Sequence, residues 1–183
     1  MRKTSLVVAL GAVFLLAGAV AHAAGIDPVL QAKIDARMAE VKAIAADPVV
    51  VAAVKAVNGT ARAEYADMTQ EKWAGLSVLD PLVRPLTRND VANTLKTKKT
   101  DDISEAFVSA ASGVKVAFLS KPTNWSHKGK PKHDVPMTGK SWQGDIEMDE
   151  SSGMQQIQVS VPVLDAGKPI GSLVVGFAIS KLR

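Results

Sequence analysis

The 183-residue chain contains no cysteine. That excludes a disulfide framework, a zinc ribbon, an iron-sulfur cluster, a covalent haem site and a thiol nucleophile. Aromatic residues are scarce, at 4% of the sequence, with a single Tyr and three Trp, so each Trp is a position worth explaining. An excess of one charge is also missing: 22 Lys and Arg stand against 18 Asp and Glu, a formal +4. Duplex-binding proteins gather basic residues on one face and carry a larger surplus, so no nucleic-acid partner is expected. The glycines are scattered, without a Gly-x-Gly-x-x-Gly or Walker pattern, which leaves no phosphate-cradling loop. No Gly-x-Ser-x-Gly nucleophile elbow occurs either.

Long hydrophobic runs are confined to the N-terminus. Arg2 and Lys3 precede an uncharged stretch from Leu6 to Val20, and Ala21-His22-Ala23 has the small-x-small form of a processing site. An uncleaved membrane anchor needs about 20 apolar residues, more than this run supplies. The expectation is a signal peptide over residues 1–23, with retention as an anchor as the alternative, and one domain over residues 24–183. Removing Arg2 and Lys3 lowers the formal charge from +4 to +2. The product is expected to be soluble and exported, periplasmic in a Gram-negative host. The missing cysteines suit that compartment, because a chain of this length buries enough surface without staples.

Beyond the leader the hydrophobic period changes once. Asp27-Pro28 pairs an N-capping side chain with a proline tolerated in the first turn. Leu30, Ile34, Met38, Val41 and Ile44 then recur at steps of three and four, one stripe of an amphipathic helix. Asp47-Pro48 repeats the start signal for a second helical piece to Val57, ended by Asn58-Gly59. The long stripe fits either core packing or contact with a partner subunit, so a homodimer through the N-terminal helix is one expectation. Shorter helices follow, and Asp102-Ile103-Ser104-Glu105 has the spacing of a capping box, predicting a helix that Gly113 closes. Alternation then takes over at Val114, Val116 and Phe118, from Ile157 to Val163, and from Leu173 to Ile179, with a further strand from Ser141 to Glu147. Asp165-Ala166-Gly167-Lys168 reads as a hairpin turn, and Asp149 to Gly153 as another. The pattern predicts an α+β fold, with a helical part over 27–112 and an antiparallel sheet of four or five strands over 113–181.

Charge is segregated in the second half. Residues 115–140 hold six Lys and one acid, Asp134, whereas residues 141–165 hold five acids and no Lys or Arg. The basic loop also carries His127 and His133 and lies between Trp125 and Trp142. Connections this long are functional or disordered, and buried Trp would argue for order. Two readings stand side by side. In one, Trp125 and Trp142 wall a concave site where Lys132, His127 and His133 hold a small anion, an apolar lining with few polar groups being the usual composition of a ligand pocket. In the other, the Trp residues pack the loop down and the Lys residues form a solvated face. A metal site on His127, His133 and Asp134 has no zinc spacing and is surrounded by lysines. A hydrolase built from Ser120, Ser126 or Ser141 with a His and Asp134 lacks any supporting motif.

The stretch Val159-Ser160-Val161-Pro162-Val163-Leu164-Asp165-Ala166-Gly167-Lys168-Pro169-Ile170-Gly171-Ser172-Leu173-Val174-Val175-Gly176 resembles the end of Cache sensor domains, the PAS-like extracytoplasmic modules. A strand ending in Val-Pro, a hairpin with Asp and Gly, and a last strand opening on Ile-Gly carry the likeness. Trp142, the turn at Asp149-Glu150-Ser151-Ser152-Gly153 and the long first helix follow the same order. The resemblance implies a long helix and short helices packed on a central antiparallel sheet, with a pocket between the sheet and its loop-rich face. It also implies binding of a small molecule, often an organic acid or amino acid, with no catalytic residue and no cofactor. Such domains usually precede a membrane helix and an output domain. This chain ends at Arg183, just after the last predicted strand, so the expectation is a stand-alone module that either signals through a separate membrane-bound partner or simply binds its ligand. The alternatives are an exported interaction protein docking through its first helix, and a periplasmic hydrolase or metal-binding protein.

Overall fold

The computed structural model describes residues 25–60, 62–148 and 153–182; the predicted leader lies outside the described residues. Two proline-opened helices come first, α1 (Pro28–Ala45) and α2 (Pro48–Gly59). Asp27 Oδ1 accepts from the Val29 and Leu30 amides at 2.9 and 3.2 Å, and Asp47 Oδ1 from Val49 at 2.9 Å. Each carboxylate satisfies amides that no helical turn can reach. Asp27→Ala is expected to lower unfolding stability by about 1 kcal/mol, the usual worth of such a cap; an unchanged urea midpoint would dismiss the capping argument. Ile34, Met38, Val41 and Ala45 are buried on α1, and Val50 and Val54 on α2, so the apolar stripe is core.

The sheet consists of β1 (Ile103–Ala110), β2 (Lys115–Phe118), β3 (Trp142–Met148), β4 (Gln155–Asp165) and β5 (Lys168–Ala178), in the order β2-β1-β5-β4-β3, antiparallel throughout. The α+β expectation is therefore met. The predicted helix from Asp102 is not: residues 103–110 are β1, so the sheet begins ten residues before the expected boundary at 113. The reason is tertiary. Asp102 is held by Arg37, Nε to Oδ2 at 3.1 Å, and by the Thr100 hydroxyl at 2.5 Å, so it does not cap. From Glu105 onward the side chains alternate, with Ala106, Val108 and Ala110 in the helix-side core and Phe107 on the other face. That period of two fits a strand paired on both edges.

The β4–β5 hairpin turns at Ala166 and Gly167, with φ of 47° and 80°. Two successive positive φ values make the turn that matches strand twist. Most of the other predicted turn, residues 149–152, lies outside the described residues; the strands on either side pair with Met148 opposite Gln155.

One face of the sheet packs on α1 and α2 through Val108, Ile157, Val159, Val161, Val163, Leu173, Val175 and Phe177, all buried. The opposite face is covered by the short helix α3 (Gln70–Gly75), by the segment that follows it to residue 89, and by the 119–141 connection, which contains α5 (Pro131–Asp134), whereas α4 (Asp90–Thr97) sends Val91, Ala92 and Leu95 into the helix-side core. This second face positions the site.

Candidate functional site

The loop-covered face has an apolar half and a polar half. In the apolar half, Trp73, Val83, Leu86, Phe107, Phe118, Trp125 and Val174 form a separate core. Trp73 lies 5.0 Å from Trp125 with the rings tilted by 41°, and Trp125 in turn lies 5.0 Å from Tyr65. Gln70 clips the connection down, donating to the Thr123 carbonyl at 2.9 Å and accepting from the Trp125 amide at 2.9 Å. The Trp73 indole donates to the Pro122 carbonyl at 2.8 Å. Trp125 is therefore the anchor of the loop; it does not share a cavity wall with Trp142.

The polar half is buried just as deeply. Ser109, Lys115, His127, His133, Ser160 and Ser172 are each at most 3% exposed. They come from alternate positions on β1, β4 and β5, from β2, and from the loop that folds back over the sheet. Gly113 makes that return possible. Its φ is +81°, and a Cβ there would stand 2.4 Å from the Lys128 amide nitrogen and 2.6 Å from Ser126 Oγ. With no side chain in the way, the His127 amide reaches the Gly113 carbonyl at 3.0 Å.

Lys115 Nζ lies 2.5 Å from His127 Nδ1, 3.3 Å from Ser109 Oγ and 3.4 Å from the Gly113 carbonyl. A protonated amine must donate to all three, so His127 accepts at Nδ1 and is neutral. Its ring stacks on Phe107 at 4.6 Å. Burial, with Lys132 nearby, pushes Lys115 down to about 7. Burial and the neighbouring cations Lys115, Lys132 and Lys130 push His127 down to about 2. His133 is lowered as well, chiefly by burial. Its Nε2 sits 3.3 Å from the Ala111 carbonyl, which can only accept, so Nδ1 takes the Ser172 hydroxyl proton at 2.8 Å.

Beside this buried cluster opens a cleft of about 300 Å³. It is lined by Lys130, Pro131 and Lys132 from the loop, Trp142, Gly144, Asp145 and Glu147 from β3, and Gln156 and Gln158 from β4. Gly144 lets the Trp142 indole fold over the strand, since a Cβ there would meet Trp142 Cη2 at 2.6 Å. Lys132 donates to Gln158 Oε1 at 2.6 Å, and the Gln158 amide donates to Glu105. Glu105 favours the charged forms of both Lys132 and Lys115. A polar line thus runs from the cleft through Lys132, Gln158 and Glu105 to Lys115 and His127. Gln156 is fixed by the Ser104 hydroxyl at 2.8 Å.

Of the five residues singled out in the sequence, Lys132 and Trp142 line the cleft, His127 and His133 are buried behind it, and Trp125 lies elsewhere. Glu105, Lys115, Gln156 and Gln158 were not foreseen. Glu105 closes a capping-box pattern in the sequence but stands on β1 in the fold. Lys115 carried a signal in being a charged residue inside an otherwise apolar strand. Gln156, Gln158 and Ser160 alternate with Ile157, Val159 and Val161, which marks a polar sheet face opposite the core.

Ser126, His133 and Asp134 are not joined as a triad. Ser126 Oγ contacts the Ser112 carbonyl and the Lys128 amide, Asp134 Oδ1 accepts from the Gly129 amide, and His133 uses both nitrogens on Ser172 and Ala111. Among the described residues, no group of three His, Asp or Glu is placed to hold a metal ion.

No family model and no curated protein matches the sequence. In three dimensions the chain is similar to the sensor domain of the Vibrio cholerae histidine kinase DctB, with TM-score 0.50 and 14% identity over 83% of this chain and 53% of that one. It is also similar to the E. coli DcuS sensor domain, with TM-score 0.49 and 13% identity over 85% of this chain and 96% of that one. The Pseudomonas aeruginosa amino acid chemoreceptor PctC, in complex with GABA, has a ligand-binding domain that matches with TM-score 0.46 and 16% identity over 84% and 57% of the two chains. The chain spans about half the length of the DctB and PctC domains. The likeness to the DctB sensor domain is one of fold, helices packed on a five-stranded antiparallel sheet.

Proposed function

We propose that this Cache-type fold is an exported, periplasmic binding module for a small anionic molecule, an amino acid or an organic acid. It passes its signal to a membrane-bound partner. The observation that carries the reading is the cleft itself. Lys130 and Lys132 supply cations for a carboxylate, Trp142 an apolar wall, and Gln156 and Gln158 amides that can donate or accept. Asp145 and Glu147 share the cleft, so a ligand bearing both a carboxylate and an ammonium group finds a counter-charge for each. This favours an amino acid over a simple organic acid.

Ligand binding raises unfolding temperature by mass action. A thermal-shift screen of amino acids and small carboxylates is expected to give a hit. Lys132→Met and Trp142→Ala are each expected to weaken that hit about tenfold, the equivalent of one lost charge-assisted or stacking contact. No shift with any compound, or a hit indifferent to both substitutions, would remove the reading.

A further inference from the structure

A second surface lies away from that cleft, on the β2 side of the molecule. A groove of about 390 Å³ is lined by Val78, Leu79, Arg84, Thr87, Arg88, Lys96, Leu119, Ser120 and Lys121. Four of these are cations and none is acidic. The ion pairs among the described residues engage Arg37 and Lys55, so the groove's cations have no carboxylate partner there. Lys96 is steadied by donating to the Thr87 carbonyl at 2.6 Å, and Lys121 by lying 4.7 Å from the Trp73 ring. The nearby Asp80 is occupied with the Leu82 amide at 2.8 Å.

At the rim stand Val78 and Leu79, 54% and 75% exposed, and Leu79 is the most exposed large apolar residue of the described chain. They sit on a turn closed by the Asp80 amide to the Ser77 carbonyl at 3.2 Å and the Val83 amide to Asp80 at 2.9 Å. The pair is therefore presented on a fixed tip. A groove made for a peptide would draw its apolar groups inward to meet an anchor side chain. Here the two aliphatic groups project outward from a ring of positive charge, an arrangement that suits a medium both anionic at its surface and fluid and apolar beneath.

We propose that this face docks the chain onto an anionic phospholipid surface, with Val78 and Leu79 entering the headgroup boundary and Arg84, Arg88, Lys96 and Lys121 meeting lipid phosphates. The inference stands apart from the ligand cleft and does not depend on it. The test is co-sedimentation with phosphatidylcholine vesicles made with and without phosphatidylglycerol. The protein is expected to sediment with the anionic vesicles alone and to be released by salt. Arg84→Gln with Arg88→Gln is expected to reduce partition by about tenfold or more, at roughly fivefold per basic residue near a charged bilayer, and Leu79→Ser to reduce it severalfold. Lys42→Gln with Lys168→Gln removes the same charge outside the groove and is expected to leave binding nearly intact. All variants keep the same N-terminus, so any partition through residues 6–20 cancels from the comparison. Equal binding to both vesicle types, equal loss from both charge pairs, or capture of a Glu-rich peptide without vesicle binding would overturn the proposal.

Discussion

Replacing Lys115 by methionine is expected to raise unfolding stability at pH 7 by about 2 kcal/mol while weakening ligand binding in the cleft. The amine is fully buried, and burial lowers its pKa from an ordinary 10.5 to about 7. Between those two values the unfolded chain holds the proton and the folded chain does not. Wild-type stability therefore rises with pH across that window, with most of the desolvation penalty present at pH 7 and all of it well below. Methionine fills the same volume without a charge. It forfeits the bond to His127 and two long contacts to Ser109 and Gly113, which offsets part of a penalty worth several kcal/mol at about 1.4 kcal/mol per pH unit. Urea unfolding of both proteins at pH 7 and pH 10 reads the result: the variant's advantage shrinks as pH rises. A variant less stable than wild type at pH 7, or an advantage that grows with pH, would sink the argument. Binding weakens because the positive charge opposite Glu105 is gone, leaving that carboxylate to repel an anion held at Lys132. A residue that lowers stability where it sits is retained for what it does, and buried ionisable groups gather at functional sites for that reason.

The fold was legible wherever local signals and tertiary packing agreed. Asp27-Pro28 and Asp47-Pro48 cap the helices they predict, and the alternation of Ile157 to Val163 and of Leu173 to Phe177 places these residues on the core face. It failed at residues 102–110. A four-residue capping pattern there competes with a strand whose side chains alternate between two covered faces from Glu105 to Ala110, and pairing to β2 and β5 on both edges decides for the strand. That error concealed Glu105 as a site residue. Trp125 and Trp142 looked alike in sequence because both flank the basic loop. Only the packing of α3 separates them, through bonds from Gln70 and Trp73 that join positions about 50 residues apart. The depth of His127 and His133 was equally hidden, since charge segregation suggested a solvated basic loop, whereas the two imidazoles face inward and the exposed lysines on either side face out.

That inward placement makes the protein sensitive to mild acid. Lowering the pH from 6.5 to 4.5 is expected to cost about 2–3 kcal/mol of stability, at roughly 1.4 kcal/mol per pH unit for each group that takes up a proton on unfolding. His127 titrates near 6.5 when unfolded but is held down to about 2 in the fold, and His133 is also lowered. The unfolded chain therefore binds more protons throughout that window, and stability falls as pH falls through it. Protonated imidazoles cannot stay in place. His127 faces Lys115 from β2 and lies near Lys130, Lys132 and His133 from the loop, while His133 feels Lys115 and Lys128, with Asp134 the one nearby acid that favours its charge. A His127 cation has lost its acceptor for Lys115, and a His133 cation loses its lone pair for Ser172. The third histidine, His22, belongs to the predicted leader. Ordinary carboxylates titrate mainly below this window, so the slope belongs to these two rings. His127→Gln keeps an acceptor for Lys115 and a planar group against Phe107 but cannot titrate. It is expected to unfold near the wild-type urea midpoint at pH 7.5 and to lose much less stability by pH 4.5. Parallel pH curves for the two proteins would show that the buried imidazole is not the acid-sensitive element. Because the loop bearing His127 and His133 also supplies Lys130 and Lys132 to the cleft, ligand affinity is expected to fall over the same pH range, and a thermal-shift titration at pH 7.5 and 5 measures both effects in one experiment.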